Sequence, residues 1–202
     1  MLFVLCLVIG YALGNIHPSI IISKSVIKKD IRDFGSGNAG AANMLRTFGF
    51  MFGVTTFLLD AVKGALAFLI GFWLGGLAGN ELWGAAIGGV AVVLGHDWPA
   101  VYKFKGGKGI ACSVGIMLIA KPDIALVALV CALAVILLTK FVSVGSLLSV
   151  LMFAMYALLQ LPVQIKLLGF ALLALALIRH ADNLKRLASD SETRVSFKNH
   201  RV

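Results

Sequence analysis

The chain has 202 residues, of which 60% are hydrophobic and only 13% charged, and its mean hydropathy is +0.98. Soluble domains run near 45–50% apolar and about 25% charged, so a soluble enzyme, a disordered tail and a collagen-like repeat are excluded. The composition is that of an all-α integral membrane protein. The formal net charge of +9 would point to nucleic acid in a soluble protein. In a membrane protein it has a simpler source, because basic residues collect in cytoplasmic loops. No nucleic-acid partner is expected. Cys6, Cys112 and Cys131 are scattered through apolar runs, which fits buried free thiols and no disulfide framework.

Seven apolar segments follow in chain order, at 2–22, 50–74, 82–99, 109–120, 124–139, 143–161 and 164–178. No basic residue precedes Lys24, so the first segment lacks the basic start of a cleaved signal peptide and reads as a span with its N-terminus outside. Lys121-Pro122-Asp123 puts a helix breaker between two charges and divides 109–139 into two short spans. As one helix, those residues would rise ~46 Å, well beyond the ~30 Å hydrocarbon core.

With seven spans, the inside loops hold 15 of the 18 Lys and Arg: Lys24, Lys28, Lys29, Arg32, Arg46, Lys103, Lys105, Lys108, Lys140, Arg179, Lys185, Arg186, Arg194, Lys198 and Arg201. The C-terminus is then cytoplasmic, in accord with the positive-inside rule. A single domain over 1–202 is expected, with 193–202 a flexible basic tail.

Three inside segments carry polar chemistry. The first, 30–46, includes Gly35, Ser36, Gly37, Asn38, Gly40, Asn43 and Arg46. Its G-x-G-x-x-G does not follow a strand, so a dinucleotide fold is rejected. Glycines that let backbone N–H groups converge, followed by a helix start and an arginine fork, suit an anion such as phosphate. An ordinary loop with a helix cap is the plainer alternative.

The second segment runs from Gly95-His96 to Lys105-Gly106-Gly107-Lys108-Gly109 and is not a Walker A sequence. Interfacial anchoring explains lysines but not the glycines between them, so anion binding is favoured. His96 is open between base, phosphate donor and helix cap. In the third segment, Arg179, Asn183 and Arg186 share a face if 179–187 is helical, with His180 beside it and Glu192 beyond. A solvated basic tail is the alternative there. Asp60 and Lys63, at i and i+3 inside the second span, are expected to pair within the bundle. His17 beside Pro18 reads as structural, and His200 has no evident role.

Together these segments resemble the bacterial acyl-phosphate:glycerol-3-phosphate acyltransferases, the PlsY family. The likeness rests on G-S-G-N-x-G-A-x-N at 35–43, D-x-x-K-G at 60–64, and G-H-x-x-P followed by F-K-G-G-K-G through Gly109. T-K-F-V-S at 139–143 and R-H-x-x-N-x-x-R-L at 179–187 complete it. Departures are Ala42 and Cys112 where the family usually has Thr, and Asp190 at a usual glycine position before Glu192. Asp tolerates a left-handed backbone better than most residues.

The resemblance implies acyl transfer from a fatty acyl phosphate to the 1-hydroxyl of glycerol 3-phosphate, at the cytoplasmic face of the bacterial inner membrane. The product is lysophosphatidic acid. No cofactor and no metal is implied, and a monomer is expected, with membrane lipid around it. It places Ser36, His96, Lys105 and His180 in catalysis. Gly35, Gly37, Asn38, Gly40, Asn43, Arg46, Gly106, Gly107, Lys108, Arg179, Asn183, Arg186 and Glu192 would bind substrate. The residues alone show no compact Ser-His-Asp pattern. A site without a strong protein base is expected, with the acyl phosphate's own oxygens taking the proton and His96 or His180 as rivals. A phosphorylated-solute transporter would want polar groups near the midplane, and a metal-dependent phosphotransferase a carboxylate cluster. Neither pattern is found.

Overall fold

The computed structural model describes residues 1–195; Lys198, His200, Arg201 and the rest of 196–202 lie outside the described residues. The described residues are helical, with no strand among them: α1 (Leu2–Gly14), α2 (Pro18–Ser25), α3 (Ala41–Phe48), α4 (Phe50–Leu77), α5 (Glu81–Asp97), α6 (Ile110–Ala120), α7 (Pro122–Thr139), α8 (Val142–Gln160), α9 (Val163–Arg179) and α10 (Ala181–Ala188). Each of the seven apolar segments of the sequence is represented by helix.

Two details differ from the sequence reading. The first segment is broken at Asn15–His17, where Pro18 starts a new helix with a φ that suits its first turn. The 179–187 stretch is not one continuous helix, because α9 and α10 meet at His180 with a bend of 57°.

Among the described residues, four helical stretches are long and apolar enough to cross a membrane: Leu2–Ser25, Phe50–Leu77, Pro122–Thr139 and Val142–Gln160. The bent pair α9–α10 makes a fifth if counted as one span. The helix α6 has 11 residues, a rise of ~16 Å, about half the hydrocarbon thickness. The α4–α5, α6–α7 and α8–α9 junctions meet at one end of the bundle, where Phe72, Leu82, Ala120, Leu161 and Pro162 line one recess. The α7–α8 turn, the residues before α6 and the C-terminal segment share a cavity at the other end with the 35–46 loop.

The core is assembled by close backbone approach. Small residues let helices meet where lipid supplies no hydrophobic force to drive them together. A Cβ on Gly64 of α4 would lie 2.2 Å from the carbonyl oxygen of Cys112, and one on Gly115 of α6 would lie 1.9 Å from that of Ala61. This crossing anchors α6 deep against α4. Gly64→Val and Gly115→Val are expected to lower thermal stability in detergent by at least ~1–3 kcal/mol, the scale of overpacking. Gly76→Ala, whose added carbon would meet only Glu81 Cβ at 3.9 Å, should leave the unfolding temperature near wild type.

Candidate active site

The 35–40 loop is tied by one side chain. Asn43, buried at the start of α3, accepts from Ser36 N–H at 3.0 Å and donates from Nδ2 to the carbonyls of Ile31, Phe34 and Asn38 at 3.2, 2.9 and 3.1 Å. Gly35 and Gly37 have φ of 58° and 69°, a region costly for residues bearing a Cβ. Gly37 lies outside the cavity wall, whereas Gly35, Ser36, Asn38 and Gly40 line it. Arg46 follows on α3 and lines the same cavity. Its buried Nε has no hydrogen-bond partner.

Opposite stands a network from four parts of the chain: the loop before α6, α8, α10 and the C-terminal segment. Lys108 Nζ donates to Asn183 Oδ1, and Asn183 Nδ2 donates to Glu192 Oε1 at 2.5 Å. Ser143 Oγ donates to the same oxygen at 3.0 Å, and Arg186 Nε to Oε2 at 2.8 Å. Burial raises the Glu192 carboxyl, but hydrogen bonds from Asn183, Arg186 and Ser143 outweigh it and hold the group below its ordinary value. Asp190 does take the left-handed backbone of the position it occupies, with φ 56°. It turns the chain so that Glu192 returns to the cavity, and Val195 N–H then bonds Lys140 O at 2.8 Å.

Burial above all, with Arg186, Arg179 and Arg46 nearby, pushes the Lys108 ammonium down to about 8, against the pull of Glu192. His180, at the α9–α10 bend, also lines the cavity. Its Nδ1 lies 2.8 Å from Ala176 O. Because a carbonyl can only accept, Nδ1 carries the hydrogen and Nε2 keeps its lone pair.

Several residues expected in the site stand elsewhere. Lys105 is exposed and outside the cavity wall. The 103–105 turn carries it away, with Lys103 and Phe104 both at positive φ. Gly106 and Gly107 do not line the cavity either. They pack on residue 96, where a Cβ on Gly106 would meet His96 O at 2.1 Å. Arg179 does not join a face with Asn183 and Arg186. Its Nε and guanidinium nitrogen both donate to Gly107 O, at 2.9 and 2.8 Å, and it lies over the Trp98 ring at 5.1 Å. It therefore braces the loop that carries Lys108.

The expected Asp60–Lys63 pair is present and buried, at 2.8 Å. Asp60, His96 and Cys112 bring ligand atoms within 4.8 Å of one another. The Lys63 ammonium already lies against Asp60 and His96, at 2.8 and 2.9 Å. A divalent cation there would face that charge.

The cavity has a volume of about 660 Å³ and divides by chemistry. The Gly-rich loop, Arg46, Lys108, Asn183, Arg186 and Glu192 form a polar end. Phe57, Leu129, Leu133, Ile136 and Val114 form apolar walls. Sequence reasoning missed the α7 wall and the serines of α8. Ser143, Ser146 and Ser149 recur every three residues, so they form a polar stripe on an otherwise apolar helix. That stripe was the available signal.

The family model described as glycerol-3-phosphate acyltransferase matches residues 4–190. The chain belongs to that family. The glycerol-3-phosphate acyltransferase of Thermoanaerobacter pseudethanolicus is 43% identical over 196 residues, covering 96% of each chain. That of Finegoldia magna is 41% identical over 190 residues, covering 93% of each. Among solved structures, the glycerol 3-phosphate form of PlsY, an integral membrane glycerol 3-phosphate acyltransferase, superposes with a TM-score of 0.86 at 31% identity. The match covers 96% of both chains. The lysophosphatidic acid form of PlsY gives 0.84 at 30% identity.

The charge of Lys108 changes within an accessible pH range. The ammonium is present below about 8 and lost above it, so affinity for inorganic phosphate should fall as pH rises from 7 to 9.5. Lys108→Arg should flatten that decline, because guanidinium stays charged throughout. Phosphate titration by calorimetry across this range measures it.

Proposed function

We propose that this chain transfers a fatty acyl group from acyl phosphate to the 1-hydroxyl of sn-glycerol 3-phosphate, releasing lysophosphatidic acid and inorganic phosphate. The single observation that carries the reading is the divided cavity: a cationic, glycine-lined end continuous with apolar walls. Both substrates bear a phosphate, and one also bears an alkyl chain. The family supports the acceptor, and the PlsY structures are named for its glycerol 3-phosphate and lysophosphatidic acid forms.

Ser36 and the loop amides cradle one phosphate, and Arg46 and Lys108 neutralise phosphate charge. Asn183, Arg186 and His180 orient glycerol 3-phosphate, with the free His180 Nε2 able to accept a hydrogen bond from a hydroxyl. The hydroxyl oxygen bonds to the acyl carbon, and the carbon–oxygen bond to phosphate breaks. The hydroxyl proton leaves on the departing phosphate. Acyl phosphate is an activated mixed anhydride, so positioning and charge neutralisation supply much of the rate. No cofactor or metal enters these steps.

In the membrane, the seven apolar segments cross as seven passages, α6 serving as a short one. The N-terminus is outside, and the cavity opens at the cytoplasmic face of the inner membrane. The basic residues around the cavity end support this orientation. A monomer is sufficient, since one chain supplies every group named.

Purified protein should form lysophosphatidic acid from glycerol 3-phosphate and palmitoyl phosphate, undiminished by EDTA, and none from palmitoyl-CoA. Product from palmitoyl-CoA alone would overturn the donor. Arg46→Ala and Lys108→Ala should lower kcat/KM by ~10²–10³-fold while the protein still inserts. Near-normal turnover in either would remove that residue from the site.

A further inference from the structure

The loop that carries Lys108 has a first half that the cavity does not use. After α5 the chain folds into a compact turn, in which Ala100–Tyr102 forms a single turn of 3-10 helix. The N–H groups of Tyr102 and Phe104 bond to Pro99 O at 3.1 and 2.9 Å. Those of Lys103 and Lys105 bond to Ala100 O and Tyr102 O, both at 3.2 Å. Tyr11 Oη donates to Trp98 O at 2.8 Å, and Val101 N–H donates to Asn15 Oδ1 at 3.2 Å. These two bonds fasten the turn to the end of α1. The Arg32 guanidinium, 5.5 Å from the centre of the Tyr102 ring, ties it to the 30–34 loop.

This braced turn presents apolar side chains outward. Val101 is 72% exposed and Phe104 60%. Lys103 and Lys105, on either side of Phe104, are exposed as well. Lys103 and Phe104 take consecutive left-handed conformations, with φ of 56° and 59°, a region that bulky side chains disfavour. Such strain persists where the surrounding structure imposes it, and here the backbone bonds of the turn do so. Among the described residues, no acidic side chain pairs with Lys103 or Lys105.

The neighbouring chain has the same character. Ile16, Ile21 and Val26 are exposed on the α1–α2 break, on α2 and just after it, and Lys28 and Lys29 are exposed beyond them. The first two lie in the Leu2–Ser25 stretch, long and apolar enough to cross a membrane. The turn is thus fastened beside the end of a span. Apolar side chains flanked by lysines suit the boundary between lipid headgroups and acyl chains. Lysines at that level favour anionic headgroups.

We infer that the 99–105 turn is a docking surface for the anionic headgroups of membrane phospholipids. Val101 and Phe104 rest at the acyl boundary, and Lys103 and Lys105 meet headgroup phosphates. The lysine–glycine loop therefore divides between two places. Lys103 and Lys105 face the lipid, Gly106 and Gly107 pack on His96, and Lys108 stands in the cavity wall. The position beside a span favours lipid over an acidic protein surface. The inference rests on the membrane placement given above and not on the acyl-transfer reaction.

Spin-label accessibility of the full chain in nanodiscs tests it. A nitroxide on Val101→Cys, in a Cys131→Ser background, is the probe; Cys6 and Cys112 are buried and escape labelling. In discs containing phosphatidylglycerol the label should collide more with oxygen and less with a neutral aqueous nickel chelate than in discs of phosphatidylcholine alone. Lys103→Gln/Lys105→Gln should abolish the difference between the two lipids. Phe104→Ser should raise chelate access in phosphatidylglycerol. A label equally open to the chelate in both lipids would overturn the inference and leave the turn free for an acidic protein surface. Equal shielding in both, or a lipid difference that survives loss of both lysines, would overturn recognition of the anionic headgroup. A label on Val130→Cys of α7, where the native side chain is 66% exposed, sets the lipid-facing reference. If that site too were open to the chelate, the membrane placement would fail and the inference with it.

Discussion

A lysine ammonium buried between three helices holds this molecule's working parts in register. Within a membrane every backbone polar group needs an internal partner. Here the first apolar segment breaks at Asn15–His17 and leaves carbonyls at a helix end. Lys63 meets two of them from α4, and Asp60 balances its charge. The remaining bond runs to His96 on α5. One group thus joins α1, α4 and α5 just below the cavity, and through His96 and Gly107 it reaches the loop that ends in Lys108. Such a buried pair is costly to form but costlier to break singly, which gives the arrangement a unique geometry.

Above that base, the cavity's electrostatics turn on an excess of positive charge. Arg46, Lys108 and Arg186 approach one another around a single carboxylate, Glu192. Burial first, and the like charges of Arg186, Arg179 and Arg46 after it, lower the Lys108 ammonium value. Glu192 relieves part of the repulsion, and its three hydrogen bonds keep the C-terminal segment against α8 and α10. Apolar walls from α4, α6 and α7 extend the same space into the region where an alkyl chain is stable.

Much of this was legible in the chain. Apolar runs interrupted by Pro122, by the glycines of 35–40 and by the 103–109 lysine loop located the helices from α4 to α9 to within a few residues, whereas the first run, read as 2–22, is divided into α1 and α2. The five motifs identified the family. Asp60 and Lys63, three apart on a helix, could only face each other or inward. Asp190 took the left-handed turn expected of a glycine position. Other readings failed for specific reasons. Lys105 and Lys108 look alike in sequence, yet one is exposed and the other inside. The backbone reverses at Lys103 and Phe104, and side-chain type carries no record of that reversal. Arg179 was grouped with Asn183 because continuous helix periodicity was assumed across His180. The 57° bend sends Arg179 to Gly107 instead.

The sequence by itself determined the family, the number of apolar segments and most of the polar residues that line the cavity. These follow from composition, periodicity and residue type, which are local properties. Only the tertiary structure decided which of those residues meet. Residues such as Ser143, Asn183 and Glu192 converge across 49 positions of chain, and Lys63 meets Ile16 across 47. Contacts at that separation depend on how helices cross, and the crossings are set by where glycines let backbones touch.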